Sequence, residues 1–372
     1  MKNLALLSIA VVTMFGTIQA QKSKHVIIGY VGGFGGRIVS DTIDVKKLSH
    51  INYAFVDIKD NRAWLHNEAT DTINFRKLVA FKAQNPDLKI LISVGGWTWS
   101  KNFSDAVLTD TSTYNFAKSC VDIVVNYHLD GVDIDWEYPG MIGDSNVYRT
   151  EDKEHYTNLF KQLRTQLDSV GQINGKKYLV TTAVGGSMAY IQHTEMDKVQ
   201  QYTDYINIMS YDYDGDSVST HHTNLYNSSG YEHLSSTHKS VQNFLAAGVP
   251  ASKIVVGVAF YGKGRQLDST ASAGIYSKFT KRIRGGGYTY LKDSVVNQNG
   301  YKRYWDKSAK APYLYNKEKQ VFITYDDEKS IKQKCKYIKK YDLAGAMFWE
   351  YSSDKKGYLL KVLSDKLNYS VD

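Results

Sequence analysis

The sequence predicts a (β/α)8 barrel with an α+β insertion between the seventh and eighth strands. Short apolar strand patterns alternate with longer amphipathic helical patterns, and the strand patterns number eight. Alternating strands and helices form parallel βαβ units, and eight such units close into a barrel of about 250 residues. The third observation is a single connection, near the carboxyl end, that is too long for a simple loop.

Each predicted strand is short and apolar, and most are followed by a helical pattern. The strands are His25–Val31, Ser49–Ile58, Lys89–Gly95, Gly131–Glu137, Tyr178–Val184, Tyr205–Tyr211, Lys253–Phe260 and Leu343–Trp349. The clearest helices are Asn74–Gln84, Ser112–Tyr127, Asp152–Leu167, Glu232–Ala247 and Glu328–Tyr341. A doubly wound open sheet is the alternative, because the glycine-rich stretch Gly32–Gly36 follows the first strand. No convincing helix follows that stretch, and a glycine loop alone is weak support.

The long connection follows Tyr261, because the next clear helix starts only near Glu328. Ordinary βα loops have about 2–6 residues, whereas this segment contains strand-like pieces at Gly287–Leu291 and Gln320–Tyr325. We expect a barrel formed by residues 21–262 and 326–372, with residues 263–325 as the inserted subdomain. The carboxyl-terminal rim carries the active site in such barrels, so an insertion there would deepen a groove.

The first twenty residues have the layout of a secretory signal peptide. Lys2 is followed by the apolar run Leu4–Phe15 and by small residues before a predicted cut near Ala20. A buried N-terminal helix is the alternative. The apolar run is shorter than the about 20 residues of a membrane span, and no later segment reaches that length without charges. We expect an exported monomer, secreted or periplasmic, with no membrane partner.

The net charge of +8 does not indicate a nucleic-acid partner, because basic and acidic residues are interspersed. The densest basic run, 329–340, has apolar residues at helical spacing and predicts a helix with a solvated basic face. Cys120 and Cys335 lie on predicted helices at opposite sides of the barrel. A disulfide requires Cα atoms within about 7 Å, so we predict two free, buried thiols. Neither cysteine has metal-ligand spacing.

The most informative stretch is Asp130–Pro139, in which acidic and apolar residues alternate. Strand side chains alternate between faces, so Asp133, Asp135 and Glu137 share one face and point into the barrel. Burial and mutual repulsion oppose ionisation of such a row, so at least one proton is shared. Glu137 is the last of the three and is nearest the mouth. Glycosidic cleavage requires this arrangement, an acid that keeps its proton near neutral pH.

Two other interpretations of the acidic row remain open. An edge strand could carry solvated acids, although the opposite face of this strand is apolar. Carboxylates also suit a Mg²⁺ or Ca²⁺ site, which activity in the presence of a chelator would exclude. Our expectation is an enzyme without metal or cofactor.

This row resembles the D-x-x-D-x-D-x-E signature that ends strand four in glycoside hydrolase family 18, the chitinase family. The match runs from Asp130 to Glu137. Ser93–Trp97 is similar to the S-x-G-G motif of strand three, and Met209–Asp212 is similar to the M-x-Y-D motif of strand six. Phe260–Gly262 and Gly345–Glu350 resemble the ends of strands seven and eight. The resemblance covers essentially the whole mature chain, including the insertion.

The resemblance implies a retaining mechanism in which the substrate's own N-acetyl oxygen attacks the anomeric carbon. Glu137 would be the general acid and then the general base. Asp135 would orient the acetamide N–H, Asp133 would hold or pass the proton of Asp135, and Tyr211 would donate its hydroxyl to the acetamide oxygen. The implied substrate contacts are Asp212 at the distorted sugar, Trp349 beneath it, Trp97 and Tyr138 on the leaving-group side, and Met209, Tyr30, Tyr261, Ser93 and Gly96 around them.

The implied substrate is chitin or N-acetylglucosamine oligosaccharides joined by β-1,4 bonds. An endo-β-N-acetylglucosaminidase acting on N-glycans, or a peptidoglycan hydrolase, is the alternative within the family. A chitin-binding lectin is a third possibility, although such relatives generally lack the acid that Glu137 supplies. Two departures from the family pattern concern the outer subsites. Tyr213–Asp216 lacks the Trp that many relatives carry nearby, and Lys263 stands where relatives often have Arg.

Overall fold

The computed structural model describes residues 25–215, 217–229, 231, 235–269 and 274–371. The predicted signal peptide, residues 1–20, and its cleavage near Ala20 lie outside these residues. So does the predicted start of one helix at Glu232.

The described residues form two sheets. The strands in chain order are β1 (Val26–Gly32), β2 (His50–Lys59), β3 (Arg62–Trp64), β4 (Lys89–Gly95), β5 (Gly131–Asp135), β6 (Leu179–Gly185), β7 (Tyr205–Met209), β8 (Ile254–Ala259), β9 (Tyr261–Leu267), β10 (Phe279–Gly287), β11 (Tyr301–Asp306), β12 (Ala311–Asn316), β13 (Val321–Thr324) and β14 (Gly345–Trp349). The first sheet has the order β1-β14-β8-β7-β6-β5-β4-β2-β3, and β1 also pairs with β2.

The first sheet closes into a parallel barrel of eight strands, with β3 attached as an antiparallel extension of β2. The pairs β1–β14 and β1–β2 are both parallel, so the ring has no open edge. This confirms the predicted (β/α)8 class and excludes the doubly wound alternative. Closure brings the carboxyl ends of all eight strands to one mouth, where a barrel enzyme carries its site.

Helices cover the outside of the barrel, except α8, which belongs to the insertion. They are α1 (Glu68–Ala80), α2 (Phe103–Ala106), α3 (Asp110–Asn126), α4 (Asp152–Asn174), α5 (Met188–Gln192), α6 (Met196–Tyr202), α7 (Thr237–Ala246), α8 (Tyr288–Ser294), α9 (Glu328–Lys340) and α10 (Tyr358–Leu367). Local sequence explains several ends. Thr109 with Ser112 forms a capping box for α3, Asp327 with Ser330 forms one for α9, and Gly175 ends α4 with a left-handed φ of 63°.

The insertion lies between β8 and β14 as a five-stranded antiparallel sheet of order β10-β9-β13-β12-β11, with α8 in the same segment. The strand expected at Gln320–Tyr325 is confirmed as β13. The strand expected at Gly287–Leu291 is wrong, because helix α8 begins at Tyr288. Tyr288 and Leu291 are both buried and lie one turn apart, so helical spacing places both against the core. The limits 263–325 for the insertion as a unit remain a prediction, and β9 starts at Tyr261.

Two apolar layers enclose the barrel strands. The outer layer, between strands and helices, contains Val132, Ile134 and Trp136, which are fully buried. Trp136 stacks on Phe103 with ring centroids 4.9 Å apart. The acids of β5 point the other way, into a smaller interior cluster. The predicted alternation of this strand is therefore confirmed.

Both cysteines are free and buried, as predicted. Burial raises the pKa of the Cys335 thiol to about 12, so that thiol is not a reactive thiolate. Among the residues that the structure describes, no helix combines the length and the apolar character that crossing a membrane requires.

Candidate active site

Asp133 is the deepest of the three inward acids and is surrounded by donors. The hydroxyls of Tyr30 and Ser93 donate to Oδ2 over 2.8 Å, and Thr181 and Asn207 donate to Oδ1 over 2.5 and 3.3 Å. Burial raises the pKa of Asp133, and the donors limit that rise. A carboxyl with four donors around it is a suitable place for negative charge inside the barrel.

Asp135 lies one pleat above Asp133 and has a different environment. It is buried, and its Oδ1 has no hydrogen-bond partner among the described residues. Burial first, and then the charges of Glu137 and Asp133, raise the pKa of Asp135 well above its ordinary value. These surroundings favour the protonated form of Asp135, and its Oδ1 is left available for a ligand.

Glu137 follows the end of β5, which the structure places at Asp135 instead of at the predicted Glu137. Its backbone N–H donates to Ser100 Oγ over 2.9 Å, which fixes the chain as it leaves the strand. Burial raises the pKa of Glu137 to about 7, with a hydrogen bond from Tyr138 opposing the rise and the charge of Asp212 adding to it. Glu137, the most accessible of the three inward acids, is therefore about half-protonated near neutral pH.

Tyr211 and Asp212 come directly after β7, so the same mouth receives them. Asp212 has a left-handed φ of 61°, a conformation that aspartate adopts more readily than most residues other than glycine. Its Oδ1 accepts from the Tyr261 hydroxyl over 2.5 Å, and Lys263 Nζ lies 2.8 Å away. Burial alone would raise the pKa of Asp212, but the nearby His222 ring and the Lys263 ammonium outweigh it and keep that pKa well below normal.

These groups line a groove of about 790 Å³ at the carboxyl ends of the strands. Ten of the predicted residues line it: Asp135, Glu137, Tyr211, Asp212, Trp349, Trp97, Tyr138, Met209, Tyr30 and Tyr261. The structure places Asp133, Ser93 and Gly96 beneath the groove surface. Ser93 is buried and donates to Asp133, and its expected contact with substrate stays a prediction.

Gly96 shapes the backbone beneath the groove, and its expected contact with substrate stays a prediction. Its N–H donates to the Asp135 carbonyl over 2.7 Å, and its φ is +81°. A Cβ at this position would lie 2.6 Å from the Phe55 ring, so a side chain is excluded there. The glycine lets two strand ends approach each other beneath the acids.

Aromatic rings form the floor of the groove. Trp349 stacks on Phe55 with centroids 5.4 Å apart and on Phe34 at 6.2 Å, while Tyr30 lies 5.8 Å away. Trp97 is 52% exposed, so about half of a large aromatic side chain is open to solvent. Exposed indole faces suit the flat apolar faces of sugar rings.

Sequence reasoning missed several lining residues, namely Phe34, Phe55, Thr98, Trp99, Ala183 and Arg282, and it named Lys263 only as a departure from the family pattern. Trp99 could have been found, because it lies two residues after Trp97. Arg282 had no local signal, because it reaches the groove only through the pairing of β10 with β9. Within the described ranges, no group of three or more His, Cys, Asp or Glu residues is arranged to hold a metal ion.

An acid with a raised pKa, placed in an aromatic groove at the mouth of a barrel, is the site of a glycoside hydrolase. The sequence model described as "Glycosyl hydrolases family 18" matches residues 26–354. The chain belongs to this family.

Similar proteins agree with that membership. Chitinase A1 of Niallia circulans is 37% identical over 92% of this chain, and the chain spans 58% of that protein's length. Among solved structures, a family 18 N-acetylglucosaminidase from Paenibacillus barengoltzii is 39% identical with a TM-score of 0.85, covering 92% of this chain and 99% of that one. A chitinase from Bacillus thuringiensis is 33% identical with a TM-score of 0.87, covering 95% and 71%.

Proposed function

We propose that this protein is a retaining chitinase. It cleaves β-1,4 bonds between N-acetylglucosamine units of chitin or chitooligosaccharides, with the substrate's acetamide as nucleophile. Family membership and similarity to proteins named chitinases support the reaction class. The observation that carries the proposal is Glu137, an acid whose pKa rises to about 7 in an aromatic groove, above the partly unpartnered Asp135.

In the first step, Glu137 donates its proton to the glycosidic oxygen while the bond from that oxygen to the anomeric carbon breaks. The acetamide carbonyl oxygen of the same sugar forms the new bond to that carbon, which gives an oxazolinium intermediate. Asp135 passes its proton to Asp133 and accepts a hydrogen bond from the acetamide N–H. Tyr211 donates its hydroxyl to the acetamide oxygen and steadies the attacking group.

In the second step, the Glu137 carboxylate takes a proton from water, whose oxygen attacks the anomeric carbon on the face that the leaving group vacated. The acetamide bond to carbon breaks, and the configuration is retained. Trp349 supports the reacting sugar and Asp212 contacts it. Trp97 and Tyr138 bind the leaving-group side, and Met209, Tyr30 and Tyr261 complete the groove.

The remaining parts of the proposal concern the cellular setting. Residues 1–20 are a signal peptide, and the enzyme is a monomer that is secreted or periplasmic and needs no cofactor. The insertion deepens the groove, which favours exo-type or processive release of short oligomers. Random mid-chain cuts in the product profile of a long oligomer would contradict this mode of action.

The main test is Glu137→Gln, assayed on chitooligosaccharides. Loss of the proton donor should reduce turnover by about 10²–10⁴-fold, while substrate affinity is kept because the amide fills the same space. Glu318→Gln is the matched control, since Glu318 is an exposed turn residue that does not line the groove. Retention of wild-type turnover in Glu137→Gln would refute the catalytic assignment of Glu137. Wild-type protein that binds chitooligosaccharides without cleaving them would favour the lectin alternative.

The acetamide nucleophile is tested by substrate choice. Cellooligosaccharides have the same linkage and no acetamide, so they should not be cleaved, and comparable hydrolysis would exclude the assisted mechanism. A chitobiose-core N-glycan and peptidoglycan fragments test the alternative substrates in the same assay. Preferential cleavage of either would replace chitin as the substrate and leave the mechanism unchanged.

A further inference from the structure

Four charged side chains of alternating sign form a continuous chain that starts at Asp212 and runs into the inserted sheet. Lys263 Nζ lies 2.8 Å from Asp212 Oδ1 and 3.1 Å from Asp214 Oδ1. The other oxygen of Asp214 pairs closely with the guanidinium of Arg265. We call this set the charge chain. It joins the segment after β7 to strand β9.

The sequence spacing of the two partners explains why the charge chain forms. Lys263 and Arg265 are two residues apart on β9, so their side chains share one face of that strand. Asp212 and Asp214 are also two residues apart, on the segment that follows β7. The two pairs face each other, and each cation meets a carboxylate. Neither pair is informative without the other, which is why the sequence alone did not indicate the contact.

Burial increases along the charge chain. The Asp212 side chain is 50% exposed and Lys263 is 29% exposed, whereas Asp214 and Arg265 are each 4% exposed. Charges removed from water interact more strongly than charges on an open surface. The buried ion pair with Arg265 therefore holds the Asp214 carboxylate in place beside the ammonium of Lys263. That ammonium lines the groove, next to the carboxylate that acts on Glu137.

We propose that Lys263 and Asp214 are positioning residues whose opposite charges set how strongly Asp212 acts on the proton of Glu137. Lys263 weakens the negative field of Asp212 in the groove, and Asp214 keeps Lys263 from cancelling that field completely. Neither residue transfers a proton. This inference rests on the proposed function, because it concerns the acid that donates to the glycosidic oxygen.

Removal of each charge has a defined sign. Lys263→Gln removes a cation near Asp212, so Glu137 holds its proton more tightly and the basic limb of kcat/KM moves to higher pH. Asp214→Asn removes an anion, so Glu137 releases its proton more easily and the limb moves to lower pH. Each shift should be about half a pH unit, because groove water screens charges at this separation. Asp212 remains ionised throughout this range, since its pKa lies well below normal.

Other groups that face these residues stay constant across the variants. Glu137 is faced by Asp135, Asp212 and Tyr138, and Asp212 is faced by His222, Tyr261 and Tyr211. Burial lowers the pKa of His222, so that ring is neutral in the basic limb. The guanidinium of Arg282 lies near Arg265 and is left unaltered in every variant. The shifts therefore report the altered residue itself.

The experiment measures kcat and KM of the full-length enzyme on chitooligosaccharides across pH. The set comprises wild type, Lys263→Gln, Asp214→Asn, the double variant and Lys263→Arg. The single variants should move the basic limb in opposite directions, the double variant should lie near wild type, and Lys263→Arg should keep the wild-type profile. Lys336→Gln is the control, an exposed lysine of α9 outside the groove. A purely structural role would lower activity without opposite pH shifts.

The outcomes separate this inference from the proposed function. If wild type does not cleave chitooligosaccharides at any pH, the proposed function fails. If wild type cleaves them and the single variants share the wild-type limb, or move it in the same direction, only this inference is overturned. Asp214→Asn leaves Arg265 buried without its carboxylate. If this variant does not fold, Lys263→Gln and Lys263→Arg still decide the matter.

Discussion

Glu137 should reduce the stability of the folded protein at alkaline pH, and Glu137→Gln should remove that cost. An acid with an ordinary pKa of 4.5 has, in this groove, a pKa of about 7. Below pH 4.5 the residue is protonated in the folded and unfolded chains and contributes no difference. Between these values the folded state alone holds the proton, so stability falls as pH rises. Above pH 7 the penalty is complete.

The size of this effect follows from the shift. Each pKa unit corresponds to about 1.4 kcal/mol, so the full displacement gives about 3.5 kcal/mol. Groove water and the coupling to Asp135 reduce this to about 2 kcal/mol. Unfolding entropy is about 2 cal/mol/K per residue, so over this chain 2 kcal/mol corresponds to a rise in Tm of about 3 °C.

Calorimetric Tm values of wild type and Glu137→Gln across pH 4–9 test this reasoning. The two proteins should unfold together near pH 4 and separate progressively up to about pH 7, with the variant more stable. Glu318→Gln should follow wild type throughout. Equal Tm values at alkaline pH, or a variant that is less stable there, would show that the groove does not raise the pKa of Glu137.

Further predictions concern activity, the acid beneath Glu137, metal independence and the buried Lys334–Asp326 ion pair. The rate kcat/KM should fall above about pH 7 as Glu137 loses its proton, which a pH series on chitooligosaccharides measures. Asp135→Asn should lower kcat by about 10²-fold or more with little change in Tm, and an unchanged rate would remove Asp135 from the mechanism. Activity should survive excess chelator, and loss that added Mg²⁺ or Ca²⁺ restores would revive the metal interpretation. Lys334→Met should cost about 3–5 kcal/mol, because it leaves the fully buried Asp326 without its partner; denaturant unfolding against Lys336→Met measures this.

The fold was predictable wherever a pattern repeated along the chain. Strands β4 and β8 are nearly continuous apolar runs, because strands of a closed barrel are buried on both faces. The acids of β5 broke this pattern and therefore marked the site. The helix α8 was misjudged because its Tyr-Thr-Tyr run has high β propensity, and its contacts with the core overrode that preference.

Site residues could be predicted where they lie at the end of a barrel strand that is recognisable in the sequence. Glu137, Tyr211 and Trp349 each follow or end a barrel strand, so closure of the ring was enough to bring them together. Phe34 and Phe55 line the groove without such a signal, because their rings are placed by stacking on Trp349. Lys263 of β9 and Arg282 of β10 are brought to the groove by the pairing of these two strands. Their positions therefore depend on the strand register, which the local sequence does not indicate.

A buried ion pair next to β13 ties the inserted sheet to the barrel. Lys334 of α9 and Thr223 both donate to Asp326 Oδ2, over 2.6 and 3.0 Å, and the N–H of Ala259, the last residue of β8, donates to the same oxygen over 3.2 Å. Asp326 follows β13, a direct neighbour of β9. The strand that carries Lys263 is therefore anchored to a barrel strand on one side and to Asp212 on the other. An acid placed among buried carboxyls reduces the stability of the folded protein. Because β9 is anchored on both sides, the charges of Lys263 and Asp214 stay at fixed distances from Asp212.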